Sequence, residues 1–229
     1  MTLAELITRC KQQSDLEDNY FIEDEEWTFL INQSYKELWD LLVTTWEDYF
    51  VSSLEFTIAS GESAYDLPDD FYKLRGVDLE VNSVSRWIPV DRFNFQERHK
   101  YGTLAQNLSW NTRPPVQYKV MGSQILFEPE ASAPGNYKLW YITKVTELVD
   151  DADEVNVECE RYIQYIIADA CIKANDKQEM DIRPFVKMKE EQIERIATAA
   201  INRDSAQTGR ISDVDNNDWE DGLYPFYRR

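Results

Sequence analysis

The chain has 229 residues, of which 43% are hydrophobic and 13% aromatic, so it holds enough apolar material for a folded core and is not a disordered chain. Its 43 acidic and 24 basic residues give a net charge of −19, which should repel phosphate and anionic lipid and argues against a DNA-reading module. No apolar run is long enough to span a membrane and no secretory signal is present, so we expect a protein made in a cytosol-like compartment without membrane association.

Two helices are predicted at the beginning of the chain. Thr2 and Glu5 have the spacing of a capping box, which predicts a helix over the first dozen residues. A longer helix is predicted further on, because apolar and aromatic residues recur at intervals of three and four from Trp27 to Tyr49. The acids at 23–26 lie where carboxylates interact favourably with the positive end of that helix.

From residue 50 to about 146, short β-branched and aromatic runs separated by turn signals indicate strands. Gly122 and Ser123 are expected at the bend of a hairpin. Residues 90–101 predict a short helix, and 102–115 a loop.

The stretch YDLPDDFYKLRGVDL at 65–79 holds Asp66, Asp69 and Asp70, which have two interpretations. They are metal-binding or acid/base carboxylates, or they are the polar edge of a turn between two strands. The turn is favoured because Pro68 fixes φ and aspartates are common turn formers, with Phe71 packing back onto the sheet.

Helical periodicity returns after residue 150. Asp153 is predicted to cap a helix whose apolar face runs from Val155 to Ala174. Pro184 suits the first turn of a final helix. The three cysteines, without a CxxC pair, are expected to be reduced core residues: Cys10, Cys159 and Cys171.

Together these elements predict an α+β fold with four parts. Residues 1–49 and 147–203 form a helical bundle, residues 50–146 form an inserted antiparallel β domain, and residues 204–229 form an extended tail. Most of the negative charge belongs to the helices and the tail, because the β region is nearly neutral.

No motif predicts a catalytic, cofactor or metal site. His99 is the one histidine, and phosphate-binding glycine loops are missing from the sequence. Asp213 begins a pattern like a calcium-binding loop, but Asp218 stands where glycine is needed and Tyr224 where glutamate is needed.

The tail is rich in apolar side chains, which disordered tails rarely carry, and is predicted to dock into a groove on a neighbouring subunit or another protein. The residues assigned to this partner interface are Trp219, Leu223, Tyr224, Phe226, Tyr227, Arg228 and Arg229.

The order of elements and several local phrases resemble the head-to-tail adaptor (connector) proteins of tailed bacteriophages, most of all those of short-tailed phages. The phrase LP-x-D-F-Y-K-L falls on 67–74, and a hairpin phrase G-x-x-I-x-F-x-P falls on 122–129. The irregular stretch after Arg203 corresponds to the extended C-terminus of that family.

The resemblance implies a non-catalytic subunit of a ring, commonly of twelve copies, at the capsid–tail junction of the virion. Such a ring lies beneath the portal protein, joins it to a tail or nozzle protein, and surrounds the channel through which DNA leaves without specific binding. It also implies synthesis in the host cytoplasm. Two alternatives stay open: a carboxylate-dependent enzyme acting on nucleic acid or polysaccharide through Asp66, Asp69 and Asp70, and a cellular oligomerisation module.

Overall fold

The computed structural model describes residues 1–17, 21–81, 86–97, 116–130 and 133–203, with the side chains of 97 and 201–203 left aside. The helices within these ranges are α1 Leu3–Gln13, α2 Asp24–Thr45, α3 Val157–Glu160, α4 Ile163–Lys177 and α5 Arg183–Arg203. The strands are β1 Val51–Ile58, β2 Ala64–Asp66, β3 Phe71–Val81, β4 Arg86–Pro89, β5 Asp91–Arg92, β6 Gln117–Met121, β7 Gln124–Glu128 and β8 Gly135–Thr143.

Helix α1 begins at the predicted capping box. The hydroxyl of Thr2 accepts a hydrogen bond from the backbone N–H of Glu5 at 3.3 Å, and the carboxylate of Glu5 accepts one from the backbone of Thr2 at 3.1 Å. This pair satisfies two N–H groups that the first turn of a helix leaves open. The prediction for the first helix is confirmed.

Helix α2 buries the predicted stripe, with Trp27, Ile31 and Leu38 almost fully enclosed. The helix ends at Thr45, so Tyr49, predicted at the end of the stripe, lies beyond it and is 50% exposed. The stripe also missed Trp39 and Val43, which are buried on an adjoining face. This face of α2 contacts the β region as well as the other helices. The indole N–H of Trp39 donates a hydrogen bond of 3.1 Å to the carbonyl of Thr143 at the end of β8.

The predicted helix capped by Asp153 is wrong at its start. The carboxylate of Asp153 instead accepts hydrogen bonds from the backbone N–H groups of Val149 and Asp150, at 2.7 and 2.8 Å. Residue 155 bonds to the carbonyl of Met1, so this stretch pairs with the N-terminus as extended chain. Asn156 caps the one-turn helix α3, and the long helix α4 begins only at Ile163.

The helices share one hydrophobic core, in which side chains of α1, α2, α4 and α5 meet. The final helix begins where Pro184 predicted, and its Phe185 and Ile196 are buried against the others. All three cysteines are buried and free, as predicted. The helical bundle is thereby confirmed as one half of the α+β fold.

The strands form two sheets of four strands each. The first has the order β1-β8-β3-β4 and the second the order β2-β7-β6-β5. Every pairing is antiparallel apart from the parallel pair β5–β6. The sheets enclose a second core, where Phe127 of β7 lies with its ring centroid 4.5 Å from that of Tyr137 of β8.

The hairpin predicted at Gly122 and Ser123 is confirmed, and Gly122 has the positive φ, 62°, that favours glycine at such a bend. The short helix predicted for residues 90–101 is wrong over β5, and a single 3-10 turn at Phe95–Glu97 is all the helix present within the described part of that segment. Val90 and Phe93 are buried against the sheets and bond to strand backbones, which holds the chain extended. The predicted loop 102–115 lies outside the described residues.

The strands lie in the chain between α2 and α3, so the sheets are inserted into the bundle sequence. The division into units ending at 49, 146 and 203 stays a prediction.

Candidate interaction surfaces

The tail residues predicted as a partner interface lie outside the described part of the chain, as does His99. The seven tail residues are Trp219, Leu223, Tyr224, Phe226, Tyr227, Arg228 and Arg229. The described residues nevertheless hold surfaces that such a segment could meet.

The aspartates Asp66, Asp69 and Asp70 do not share a site. The carboxylate of Asp66 accepts a hydrogen bond from the amide of Gln124 at 2.7 Å, whereas that of Asp70 accepts one from the hydroxyl of Tyr141 at 3.2 Å. Asp69 is exposed, and its backbone carbonyl lies 3.2 Å from the ammonium of Lys144. Within the described ranges, no group of three or more His, Cys, Asp or Glu side chains could hold a metal ion.

This stretch instead carries the chain from one sheet to the other. Strand β2 belongs to the second sheet and β3 to the first, and the backbone N–H of Phe71 donates to the carbonyl of Pro68 at 2.9 Å in the turn between them. The ring of Phe71 stacks on Tyr141, with centroids 6.0 Å apart. Burial and the neighbouring carboxylate of Asp70 raise the pKa of Tyr141, so the phenol stays protonated as a donor.

An open groove of about 560 Å³ lies where β3 passes the strands β5 and β6. We call it the inter-sheet groove; it is lined by Phe71, Tyr72, Lys73, Leu74, Arg92, Phe93, Lys119 and Val120. Three of these side chains are basic and none is acidic, and the rest are apolar apart from the hydroxyl of Tyr72. A basic, aromatic groove is unusual on a chain with a net charge of −19.

The cations of the groove differ in their partners. Lys73 is paired with Glu47, two residues after α2 ends. Arg92 donates to the hydroxyl of Tyr118 at 3.1 Å, and the ammonium of Lys119 lies 5.1 Å from the ring centroid of Phe95. In the described part of the chain neither Arg92 nor Lys119 has a carboxylate within ion-pair distance, so both can receive one.

The sequence did not single out this groove. Arg92 and Lys119 stand far apart in the chain, in a region that looked nearly neutral. The parallel pairing of β5 with β6, in which Arg92 lies beside Tyr118, brings them to one place. A basic residue next to a buried aromatic, as Arg92 is to Phe93, is the one local signal, and it is weak.

Ion pairs hold the groove against the bundle. Glu47 contacts both Lys73 and Arg75 of β3, and Arg75 also contacts Asp48. The hydrogen bond from Lys73, with the charges of both cations, lowers the pKa of Glu47 and keeps it ionised. The hydroxyl of Tyr72 donates to Asp40 of α2 at 2.8 Å.

A buried carboxylate ties three helices together inside the bundle. The side chain of Asp169 on α4 is 3% exposed, and the ammonium groups of Lys173 and Lys189 each lie 2.6 Å from one of its oxygens. The Lys189 contact has hydrogen-bond geometry, while the Lys173 contact has only the distance of an ion pair. Glu37 of α2 lies 2.8 Å from Lys173 and completes the network.

Apolar side chains remain exposed on the bundle. Phe29 on α2 is 68% exposed, and Val149 is 74% exposed. Val149 lies beside α2, since the side-chain amide of Asn32 on that helix exchanges two hydrogen bonds of 2.8 Å with the backbone of Leu148. Exposed apolar groups of this kind mark contact surfaces when they cluster. No helix in the described ranges has the length and apolar character needed to cross a membrane.

Comparison with protein families gives a match over almost the whole chain. The model of the SU10 adaptor protein family matches residues 1–217, which includes the bundle, both sheets and the first part of the tail. The aromatic end of the tail, from Trp219 onward, lies beyond the match. A comparison with curated proteins found no match.

Proposed function

Because the chain belongs to the SU10 adaptor protein family, a family of structural adaptors in the phage virion, we propose that it forms a ring at the capsid–tail junction. In this proposal the ring lies beneath the portal protein, joins it to a tail or nozzle protein, and surrounds the channel through which DNA leaves. A ring of twelve copies is the expected assembly.

The observation that carries this proposal is the family match itself, since it spans both the helical and the β parts of the chain. Exposed Phe29 and Val149 add support, because a subunit that contacts copies of itself needs apolar surface that its own fold leaves uncovered. The carboxylates of Asp66 and Asp70 accept hydrogen bonds from different side chains, Gln124 and Tyr141, and Asp69 is exposed, which favours a structural role over an enzyme.

The charge of the chain supports the part of the proposal that concerns DNA. With 43 acidic residues and a net charge of −19, the protein would give a channel wall that repels phosphate. Phosphate contacts from lysine and arginine would bind DNA in a salt-dependent way and slow its passage. DNA would thus pass through without specific binding.

Electron micrographs and native mass of the full chain, alone and mixed with portal protein, test the proposal. We expect rings, either alone or only when portal is present. A chain that stays monomeric and fails to bind portal would contradict it. The portal is included so that rings that form only in its presence are also detected.

We also propose that the tail is a partner interface, through Trp219 and the aromatic residues that follow. Deleting residues 219–229 should weaken assembly or portal binding while the folded part keeps its thermal stability, because the helices and strands that build the two described cores all end by residue 203. Unchanged assembly and unchanged partner binding would refute a docking role.

A further inference from the structure

We propose that the inter-sheet groove receives the segment Asp213–Tyr227 from the tail of a neighbouring copy. The inference rests on the proposed ring and names the surface on which the tail docks.

Charge complementarity is the first argument. The segment DVDNNDWEDGLYPFY at 213–227 has five acidic and no basic residues. The groove presents Lys73, Arg92 and Lys119 and no acid. Arg92 and Lys119 have no carboxylate partner among the described residues, so an acidic segment would supply the charges that they lack.

Apolar contact is the second argument. The groove wall has Tyr72, 41% exposed, with Phe71 and Leu74 partly buried beside it. The segment carries Trp219 and, further on, Leu223, Tyr224, Phe226 and Tyr227. Aromatic anchors in a partly apolar groove, with charged groups around them, are the usual composition of a tight peptide site.

Reach is the third argument. On α5, eight residues before the helix ends, the guanidinium of Arg195 lies 5.8 Å from the ring centroid of Tyr162, which lies 5.9 Å from that of Trp46. Trp46 is the neighbour in sequence of Glu47, which pairs with Lys73 in the groove. The second half of α5 therefore lies near the part of the bundle that contacts the sheets. The first nine residues of the tail, 204–212, can span about 30 Å when extended.

The occupant is assigned to a second copy because of what the contact would do. The inter-sheet groove and the tail segment are two different surfaces of the chain. A contact between the groove of one copy and the tail of the next is therefore head-to-tail. A head-to-tail contact closes into a ring when the rotation between successive copies closes, whereas docking of the tail within its own chain would join no subunits through the groove.

Photo-crosslinking in the assembled full chain tests the assignment. Benzoylphenylalanine replaces Tyr72 in one preparation, and a second, ¹⁵N-labelled preparation keeps Tyr72; the two are mixed, assembled with portal protein and irradiated. We expect cross-links to peptides from 213–227, with the ¹⁵N form present in proportion to the mixing ratio. Cross-links to the same chain only, to portal, to another part of the bundle or to DNA would overturn the proposal.

Charge-reversal substitutions in the groove and in the tail give a second test. Arg92→Glu combined with Lys119→Glu should lower the yield of the tail cross-link about tenfold or more, as loss of about 1.4 kcal/mol would do. Asp218→Lys combined with Asp221→Lys should restore it in that background. Lys187→Glu, on an exposed lysine of α5, is the matched control and should leave the yield unchanged. An undiminished yield in the Arg92 and Lys119 double variant would overturn the proposal.

The outcomes separate this inference from the proposed function. If rings form and bind portal but Tyr72 cross-links elsewhere than to the tail, the proposed adaptor ring is supported and the docking of the tail in the inter-sheet groove is refuted. Failure to form rings or bind portal refutes both.

Discussion

The ammonium of Lys189 on α5 lies 2.6 Å from the carboxylate of Asp169 on α4, in a part of the bundle where that carboxylate is 3% exposed. Burial works to raise the pKa of Asp169, but its contacts with Lys173 and Lys189 outweigh burial, and the pKa is lowered. The same contact raises the pKa of Lys189 against the effect of burial. The pair is therefore ionised and depends on both partners.

Asp169→Ala should destabilise the fold by about 2 kcal/mol, measured by urea unfolding. The loss lies below the roughly 3–5 kcal/mol typical of a broken, fully buried pair, because Lys173 and Lys189 are partly exposed and can turn to water. The control is Glu191→Ala, which removes an exposed pair with Lys187 and should change stability little. Equal effects of the two substitutions would contradict the special role of Asp169.

Acid should destabilise the protein through Asp169. A carboxyl whose folded pKa lies below its ordinary value, 3.8, contributes stability above that value and loses it as pH falls through the lower, folded pKa. Unfolding curves from pH 5 down to pH 2 should show this loss. Asp169→Asn should flatten the dependence over the same range, and an identical profile in the variant would show that other groups control it.

Phe71 and Pro68 should matter more to stability than Asp69. Phe71→Ala removes a partly buried ring stacked on Tyr141 and should cost about 1–3 kcal/mol. Pro68→Ala should cost less, because it loosens only the turn. Asp69→Asn changes an exposed side chain and should stay within about 0.5 kcal/mol. A larger loss for Asp69 than for Phe71 in chemical denaturation would contradict this account of the turn.

Leu38 and Phe29, on the same helix, should give opposite results. Leu38→Ala opens a cavity in a fully buried site and should cost about 2–5 kcal/mol in unfolding experiments. Phe29→Ala changes a side chain that is 68% exposed, so stability should hardly move while ring assembly, followed by native mass, weakens. Normal assembly of the Phe29 variant would show that Phe29 lies outside the contacts between subunits.

The three cysteines should be unreactive in the folded protein. Cys10, Cys159 and Cys171 are buried, and burial raises the pKa of Cys159 to about 12, so thiolate is scarce at neutral pH. Iodoacetamide at pH 8 should modify none of them until denaturant is added, and all three afterwards, as counted by intact mass. Modification of the native protein would mean that the bundle opens locally.

Local pattern predicted the helices well, because their signals lie within one turn of each residue. The capping box at Thr2 and the stripe from Trp27 needed no distant partner. Asp153 has the chemistry of a helix cap, but the residues after it pair with the N-terminus, which no local pattern contains. Burial of Trp39 likewise depends on β8, about a hundred residues further along.

The groove was beyond prediction for the same reason. Arg92 and Lys119 meet only because β5 and β6 pair in parallel, and strand pairing between distant segments leaves little trace in a single sequence. The separation of Asp66 from Asp70 was half predictable: the turn was expected, but not that its two strands enter different sheets.

Strand β8 gives the molecule a mechanical property. It lies between β1 and β3, and its register with β1 runs from Ile142 opposite Val51, beside the bundle, to Gly135 opposite Ile58, at the far end. The sheets are thus tied to the helices by two covalent tethers side by side. A force that pulls the bundle away from the far end of the sheets is therefore carried by β1 and β8 together. The hydrogen bonds between the two strands are then loaded at the same time and do not break one after another.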